Sequence, residues 1–187
     1  MNFDKTDRRQ KFLLALSLCA ATVLLRLFPL APNFTPMTAL ALFAITFFGF
    51  GYQSFLFIFA TQIFGDLVLA LQHGDMEYAF HSGLLGVYGS WFLIGLMGYL
   101  LSRKLTLGSS VGFGLAASIL FFLVTNFQYW LSADSEYTKN WNGLMECYTA
   151  ALPFYRTMGA SALIFSVLFY VLAVLPVTES SAEKNSN

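Results

Sequence analysis

Residues 111–131 read VGFGLAASILFFLVTNFQYWL, twenty-one positions without an Asp, Glu, Lys or Arg. A helix of roughly 17–25 apolar residues is long enough to cross the hydrocarbon core of a bilayer, where the backbone must satisfy its own hydrogen bonds. The run therefore predicts a membrane-spanning helix. Its end, Thr125-Asn126-Phe127-Gln128-Tyr129-Trp130, predicts where that helix meets the interface. Working outward, five more runs of this kind stand on either side: Phe12 to Phe28, Pro36 to Tyr52, Ser54 to Leu71, Leu84 to Leu101 and Pro153 to Leu175. The second is short and ends in Gly49, Gly51 and the brief link Tyr52-Gln53. Pro36 and Pro153 each open a run, at the turn where a missing N–H costs no intrahelical bond.

Composition agrees with this partition. The chain of 187 residues is 57% hydrophobic, 18% aromatic and 11% charged, against about 25% charged in soluble domains. Ten basic and ten acidic residues cancel, so net charge points to no nucleic acid and no acidic partner. Cys19 and Cys147 are too far apart in sequence to mark a zinc site or a disulfide framework. The opening MNFDKTDRRQK followed by FLLALSLCAATVLL imitates a signal peptide. It has no small-x-small cleavage site, and Leu18 precedes Cys19, so an uncleaved first span is expected.

Lys and Arg are retained on the cytoplasmic side of short loops. With the N-terminus inside, Lys5, Arg8, Arg9, Lys11, Arg103, Lys104 and Lys184 fall inside, against Arg26, Lys139 and Arg156 outside. The expectation is an all-α integral membrane protein of six spans, multi-pass in a bacterial inner (cytoplasmic) membrane, with both ends in the cytoplasm. Residues 1–11 read as a polar cytoplasmic tail and 176–187 as a disordered cytoplasmic tail, on either side of a single transmembrane domain, residues 12–175.

The outward loops, Pro29 to Thr35, Gln72 to Gly83 and Ser132 to Leu152, carry nearly all the loop aromatics, both histidines and most loop carboxylates. Either they build a pocket for a solute, or they are acidic because basic residues stay inside. Within the spans, charged side chains are costly and turn to the bundle interior or a wet cavity. Gln62, Asp66 and His73 fall at i, i+4 and i+11, on one helical face directed toward these loops. Arg26 shares a face with Cys19 and Thr22, and is a candidate counter-ion for Asp66. Such a pair fixes helix register or contacts a ligand directly.

Asn126 lies one turn deeper than Trp130 and needs a hydrogen-bond partner, whereas Trp130 itself fits either a pocket or an interfacial belt. In the segment Tyr137 to Leu152, the residues Trp141, Leu144, Met145, Tyr148 and Leu152 make an apolar stripe at helical spacing. That stripe predicts a separate helix lying along the interface or covering the pocket. Arg156 then begins the sixth span, snorkelling to headgroups or meeting an anionic group. His73 and His81 are imidazoles in the third loop, but no His/Cys/Asp cluster at ligand spacing predicts a metal held by the protein. The sequence contains no G-x-x-x-x-G-K-[ST] and no H-E-x-x-H, so neither ATP hydrolysis nor a zinc-peptidase site is written in it. An enzyme using Glu146 or Asp66 as general acid or base lacks a second catalytic group at a telling spacing. The expectation is a protein that is not an enzyme and holds no cofactor of its own.

Several stretches resemble a family of small bacterial membrane proteins of unknown function. They are Arg26-Leu27-Phe28-Pro29, Pro32-Asn33-Phe34-Thr35-Pro36 leading into Ala39-Leu40-Ala41-Leu42-Phe43, and His81 with Val87-Tyr88-Gly89-Ser90. Phe121-Phe122-Leu123-Val124-Thr125-Asn126 and Gly143-Leu144 through Cys147-Tyr148 to Ala151-Leu152-Pro153-Phe154 complete the set. That family in turn is similar to the substrate-binding S components of energy-coupling factor (ECF) vitamin transporters, including the solitary BtuM-type cobalamin transporters. The resemblance implies an S-component-like six-helix bundle and a vitamin-sized pocket built from outer loops one, three and five. It further implies toppling in the bilayer, and partnership with an ATP-driven coupling module or with none. BtuM-type proteins offer a third-loop cysteine to cobalt; this chain has none there, and His81 is the residue able to act as axial ligand to a cofactor-borne metal. Ser17 and Ala21 offer a close-packing surface for a coupling subunit.

Taken together, the expected function is substrate binding or transport of a vitamin-like small molecule, cobalamin or a precursor among the candidates. The expected contacts are Asp66, His81, Tyr88, Asn126, Trp130, Trp141, Tyr148 and Arg156. The alternative is a structural or accessory membrane protein whose polar residues only join helices.

Overall fold

A computed structural model describes residues 8–185, and the side chains of residues 13–174. The expected tails, 1–11 and 176–187, lie outside the residues whose side chains are described. The described residues form six α-helices: α1 (Arg8–Leu27), α2 (Met37–Phe48), α3 (Tyr52–His73), α4 (Leu84–Arg103), α5 (Leu107–Leu131) and α6 (Trp141–Asn185), with a short 3-10 turn at Met76–Tyr78. Four of them, α3, α4, α5 and the Trp141–Val174 part of α6, are long and apolar enough to cross a membrane. The described part of α1, Leu13–Leu27, and α2 are shorter apolar helices.

The second run departs from its expected extent. It forms 12 helical residues, about 18 Å of helix, and so falls short of a bilayer's hydrocarbon core. The helix ends where Gly49 takes a left-handed φ of 84°, a conformation that costs glycine nothing. Ser54 Oγ donates to the Gly49 carbonyl at 2.5 Å and ties the turn into α3. MTALALFAITFF is apolar on every side, as a helix surrounded by protein is. Accordingly, α2 packs against all five other helices, and Leu40, Leu42 and Phe43 are each at most 1% exposed. α2 is therefore the central post of the bundle. Gly98 of α4 lies against the Leu42 backbone carbonyl, where a Cβ would collide. In lipid, expulsion of water does not drive helices together, so close approach of this kind carries much of the association.

Two other boundaries differ from expectation. α5 starts at Leu107 rather than Val111 because Thr106 and Ser109 cap each other reciprocally: Ser109 N donates to Thr106 Oγ1 at 3.1 Å, and Thr106 N to Ser109 Oγ at 2.9 Å. The segment expected as a separate helix before Pro153 is instead continuous with the sixth span as α6. Asn140 caps its start, accepting from Gly143 N at 3.0 Å. Pro153 lies on the exposed side of α6 and removes one backbone donor without ending the helix, as membrane helices tolerate.

A two-cavity site at one end of the bundle

The helices alternate in direction, which gathers the loops 28–36, 74–83 and 132–140 at one end and the basic link Arg103-Lys104 at the other. Gln128 Nε2 of α5 donates to the Ser82 carbonyl at 2.7 Å, and Ser82 Oγ hydrogen-bonds Asp134 at 2.8 Å. From α6, Ser161 Oγ donates to the Thr35 carbonyl at 3.2 Å and Thr157 to that of Pro32. The second and third of these loops are thus tied to each other, and the first is tied to α6, at this end of the bundle.

Beneath the loops lies an ion pair between helices. Arg26 Nη2 of α1 meets Asp66 Oδ1 of α3 at 2.5 Å, the side chains being 16% and 5% exposed. Arg26 reaches α3 because Gly65 leaves the space: a Cβ there would lie 2.6 Å from Arg26 Nη1. Gln62 Nε2 donates to both Asp66 oxygens, at 2.9 and 3.0 Å, and Tyr88 Oη of α4 to Oδ2 at 3.1 Å. A carboxylate has room for about four donors, so Asp66 is close to fully satisfied. Such saturation is what offsets the desolvation of a buried charge, several kcal/mol per ion. Arg26, by contrast, uses only two of its N–H groups, on Asp66 and on the Gln62 carbonyl at 3.4 Å. The expected Arg26–Asp66 pairing is therefore present, with Gln62 and Tyr88 joined to it.

The pair opens onto a cavity of about 240 Å³ lined by residues from every helix, among them Arg26, Thr38, Asp66, His81, Trp91, Phe121 and Met158. Trp91 stacks on Phe121 with centroids 4.3 Å apart, and its buried indole N–H has no partner among the described residues. A second cavity of about 230 Å³ is lined by Asn33, Phe121, Phe122, Thr125, Asn126, Ala151, Phe154, Tyr155 and Met158. Asn33, at φ 60°, lines both cavities. Asn is among the few residues that tolerate this left-handed conformation.

The structure thus gathers part of the expected set. Asp66 and His81 line the first cavity, and Asn126 the second. Tyr88 contributes through its bond to Asp66. Asn126 Nδ2 donates within its own helix, to the Phe122 carbonyl at 2.8 Å, so it finds the partner it needs locally. Trp130, Trp141, Tyr148 and Arg156 line neither cavity. Trp130 Nε1 donates to the Thr138 carbonyl at 2.8 Å, Tyr148 Oη donates to the Leu123 carbonyl at 2.8 Å, Trp141 is 70% exposed, and Arg156 is exposed on α6. His73 does not line the first cavity but stacks on Tyr78, which does, with centroids 4.4 Å apart.

His81 Nδ1 accepts from Gly83 N at 3.0 Å. With Nδ1 engaged in that way, the neutral ring carries its proton on Nε2, which is then a donor and not a metal ligand. Among the described residues no three His, Cys, Asp or Glu side chains come together to hold a metal. Ser17 and Ala21 are exposed on α1. Sequence reasoning did not reach Trp91, Phe121 and Met158, which are apolar residues of ordinary spans. Asn33 had a signal, since Pro-Asn is turn chemistry.

No curated protein and no solved structure matches the chain. One family model does, and it covers nearly the whole helical region described above. The chain belongs to DUF6580, a family of unknown function, whose model matches residues 6–183.

Proposed function

We propose that this chain is a membrane-embedded substrate-binding or transport subunit for a vitamin-like small molecule, with its pocket at the outer end of the bundle. The observation that carries the reading is the first cavity, where donors from Arg26, His81 and Trp91 stand beside the flat faces of Trp91 and Phe121. Small-molecule sites have this make-up, a largely apolar lining with a few convergent polar groups. Arg103 and Lys104 lie at the opposite end of α4 from Val87 and Trp91. Under the positive-inside rule that separation supports an outward-facing cavity, both termini in the cytoplasm, and residence in a bacterial inner membrane. An S-component-like bundle, working with an ATP-driven coupling module or alone, accords with six helices and loops capping one end. The volumes favour a vitamin of one or two rings; cobalamin does not fit unless the helices part.

One observation favours a second reading, an accessory protein whose polar residues join helices: Asp66 already holds three protein partners. Thermal stability of the purified protein in detergent, across a panel of vitamins and precursors, separates the two. A ligand bound only by the folded state stabilises it by about 2.7 kcal/mol at a hundred times its Kd. A selective, saturable rise is expected from the transport reading. A flat panel with folded protein favours the accessory one.

A further inference from the structure

The two cavities share a wall. Asn33, Phe121 and Met158 line both, and of these only Met158 is a long, flexible, unbranched side chain able to yield to a ligand. The chambers differ in chemistry. The first holds Arg26, Gln62, Asp66 and His81, whereas the second holds Phe122 and Tyr155, whose rings lie 5.1 Å apart, with no ionisable side chain other than that phenol. At about 240 and about 230 Å³, each has room for roughly one ring, since an apolar cavity of about 150 Å³ takes up benzene.

The charge balance of the first chamber narrows the ligand further. Arg26 and Asp66 neutralise each other, so nothing there balances an added ion. Asp66's acceptor positions are filled by Arg26, Gln62 and Tyr88, which leaves little for an ammonium. Arg26 keeps unengaged N–H groups, and His81 Nε2 is a donor in the neutral ring. The open capacity is therefore for a neutral acceptor such as a carbonyl oxygen.

Building on the small-molecule reading above, we propose that the two cavities form one bipartite site for an elongated, uncharged molecule. Its carbonyl end sits against Arg26, its aromatic end lies beside Phe122 and Tyr155, and Met158 is displaced between them.

Isothermal titration of the full chain in detergent with benzamide, 3-phenylpropanamide and 5-phenylpentanamide tests this. The charged relatives 3-phenylpropanoate and 3-phenylpropylamine are run in parallel, with octanamide as a ringless, lipid-like chain. Affinity is expected to rise at least tenfold from benzamide to the best longer amide, and that amide should exceed both charged relatives and octanamide at least fivefold. Phe122→Ala is expected to erase the gain with length. Met158→Ala should keep or raise the affinity for the long amides. Because Phe122→Ala also alters packing, its helical content is checked by circular dichroism, and Tyr155→Phe, which keeps the ring, should retain the gain. Equal affinity along the series, or octanamide matching the phenyl amides, overturns the bipartite site. Tighter binding of either charged relative overturns the neutral class. If the vitamin panel yields a ligand while the amides show no dependence on length, only this proposal fails. If folded protein binds nothing in either set, the small-molecule reading fails with it.

Discussion

Replacing Arg26 by Gln probes the feature that most distinguishes this bundle from inert membrane helices. The change removes the contact to Asp66 Oδ1 and the 3.4 Å bond to the Gln62 carbonyl. It leaves a carboxylate, 5% exposed, with only Gln62 and Tyr88 as donors. Removing one partner of a buried pair costs about 3–5 kcal/mol, chiefly because the other charge is left uncompensated. Arg26 is itself 16% exposed and two donors remain on Asp66, so the lower end, about 3 kcal/mol, is expected. If the orphaned charge is the cause, Asp66→Asn in the same chain should recover about 2 kcal/mol. The double variant is then markedly more stable than the sum of the singles. Reversible unfolding in mixed micelles, followed by circular dichroism, measures all three variants. A cost below about 1 kcal/mol for Arg26→Gln, or strict additivity in the double variant, refutes the reasoning: the pair would then be a solvated contact.

Three more outcomes follow from the same geometry. Tyr88→Phe deletes one donor to Asp66 and should cost about 1.5–3 kcal/mol, the range for a hydrogen bond to a charged group; in the Arg26→Gln background the loss should grow, which a double-mutant cycle reads directly. Gly98→Ala drives a Cβ into the Leu42 carbonyl and should destabilise by about 1–3 kcal/mol. Gly112→Ala, where the added atom meets nothing within 4 Å, should be neutral or stabilise by up to about 1 kcal/mol; equal effects at the two glycines in thermal unfolding would contradict the packing described. With Cys19 and Cys147 replaced by Ser, a membrane-impermeant maleimide added to intact cells should label Ser135→Cys and not Ser102→Cys, and the reverse pattern would invert the proposed orientation.

The candidate site was legible in the sequence where physics makes a residue expensive. Asp66 and Arg26 stood out because a charge within a span demands a partner, and the pairing is present in the structure. Asp66 and His81 line the first cavity, and Asn126 the second. Trp130, Trp141, Tyr148 and Arg156 carry the same side-chain chemistry in a pocket wall as in an interfacial belt, so composition alone cannot divide them. The structure ties Trp130 and Tyr148 to backbone carbonyls and leaves Trp141 and Arg156 exposed.

What the sequence by itself determined is the class of the molecule. Long apolar runs, broken by polar links, leave the chain no solvent but a bilayer and no secondary structure but helix, and α3, α4 and α5 lie within a few residues of where those runs place them. Only the tertiary structure decided the role of α2 and the continuity of α6. In water, hydrophobicity separates core from surface, but in lipid both are apolar, so MTALALFAITFF reads alike as a span or as a buried post. A proline near a run's start reads alike as a helix opening or as an exposed interior position. The cavities, likewise, arise where side chains from separate segments, all six helices for the first and α5, α6 and Asn33 for the second, fail to fill space together, and no local pattern in one segment records what the others leave open.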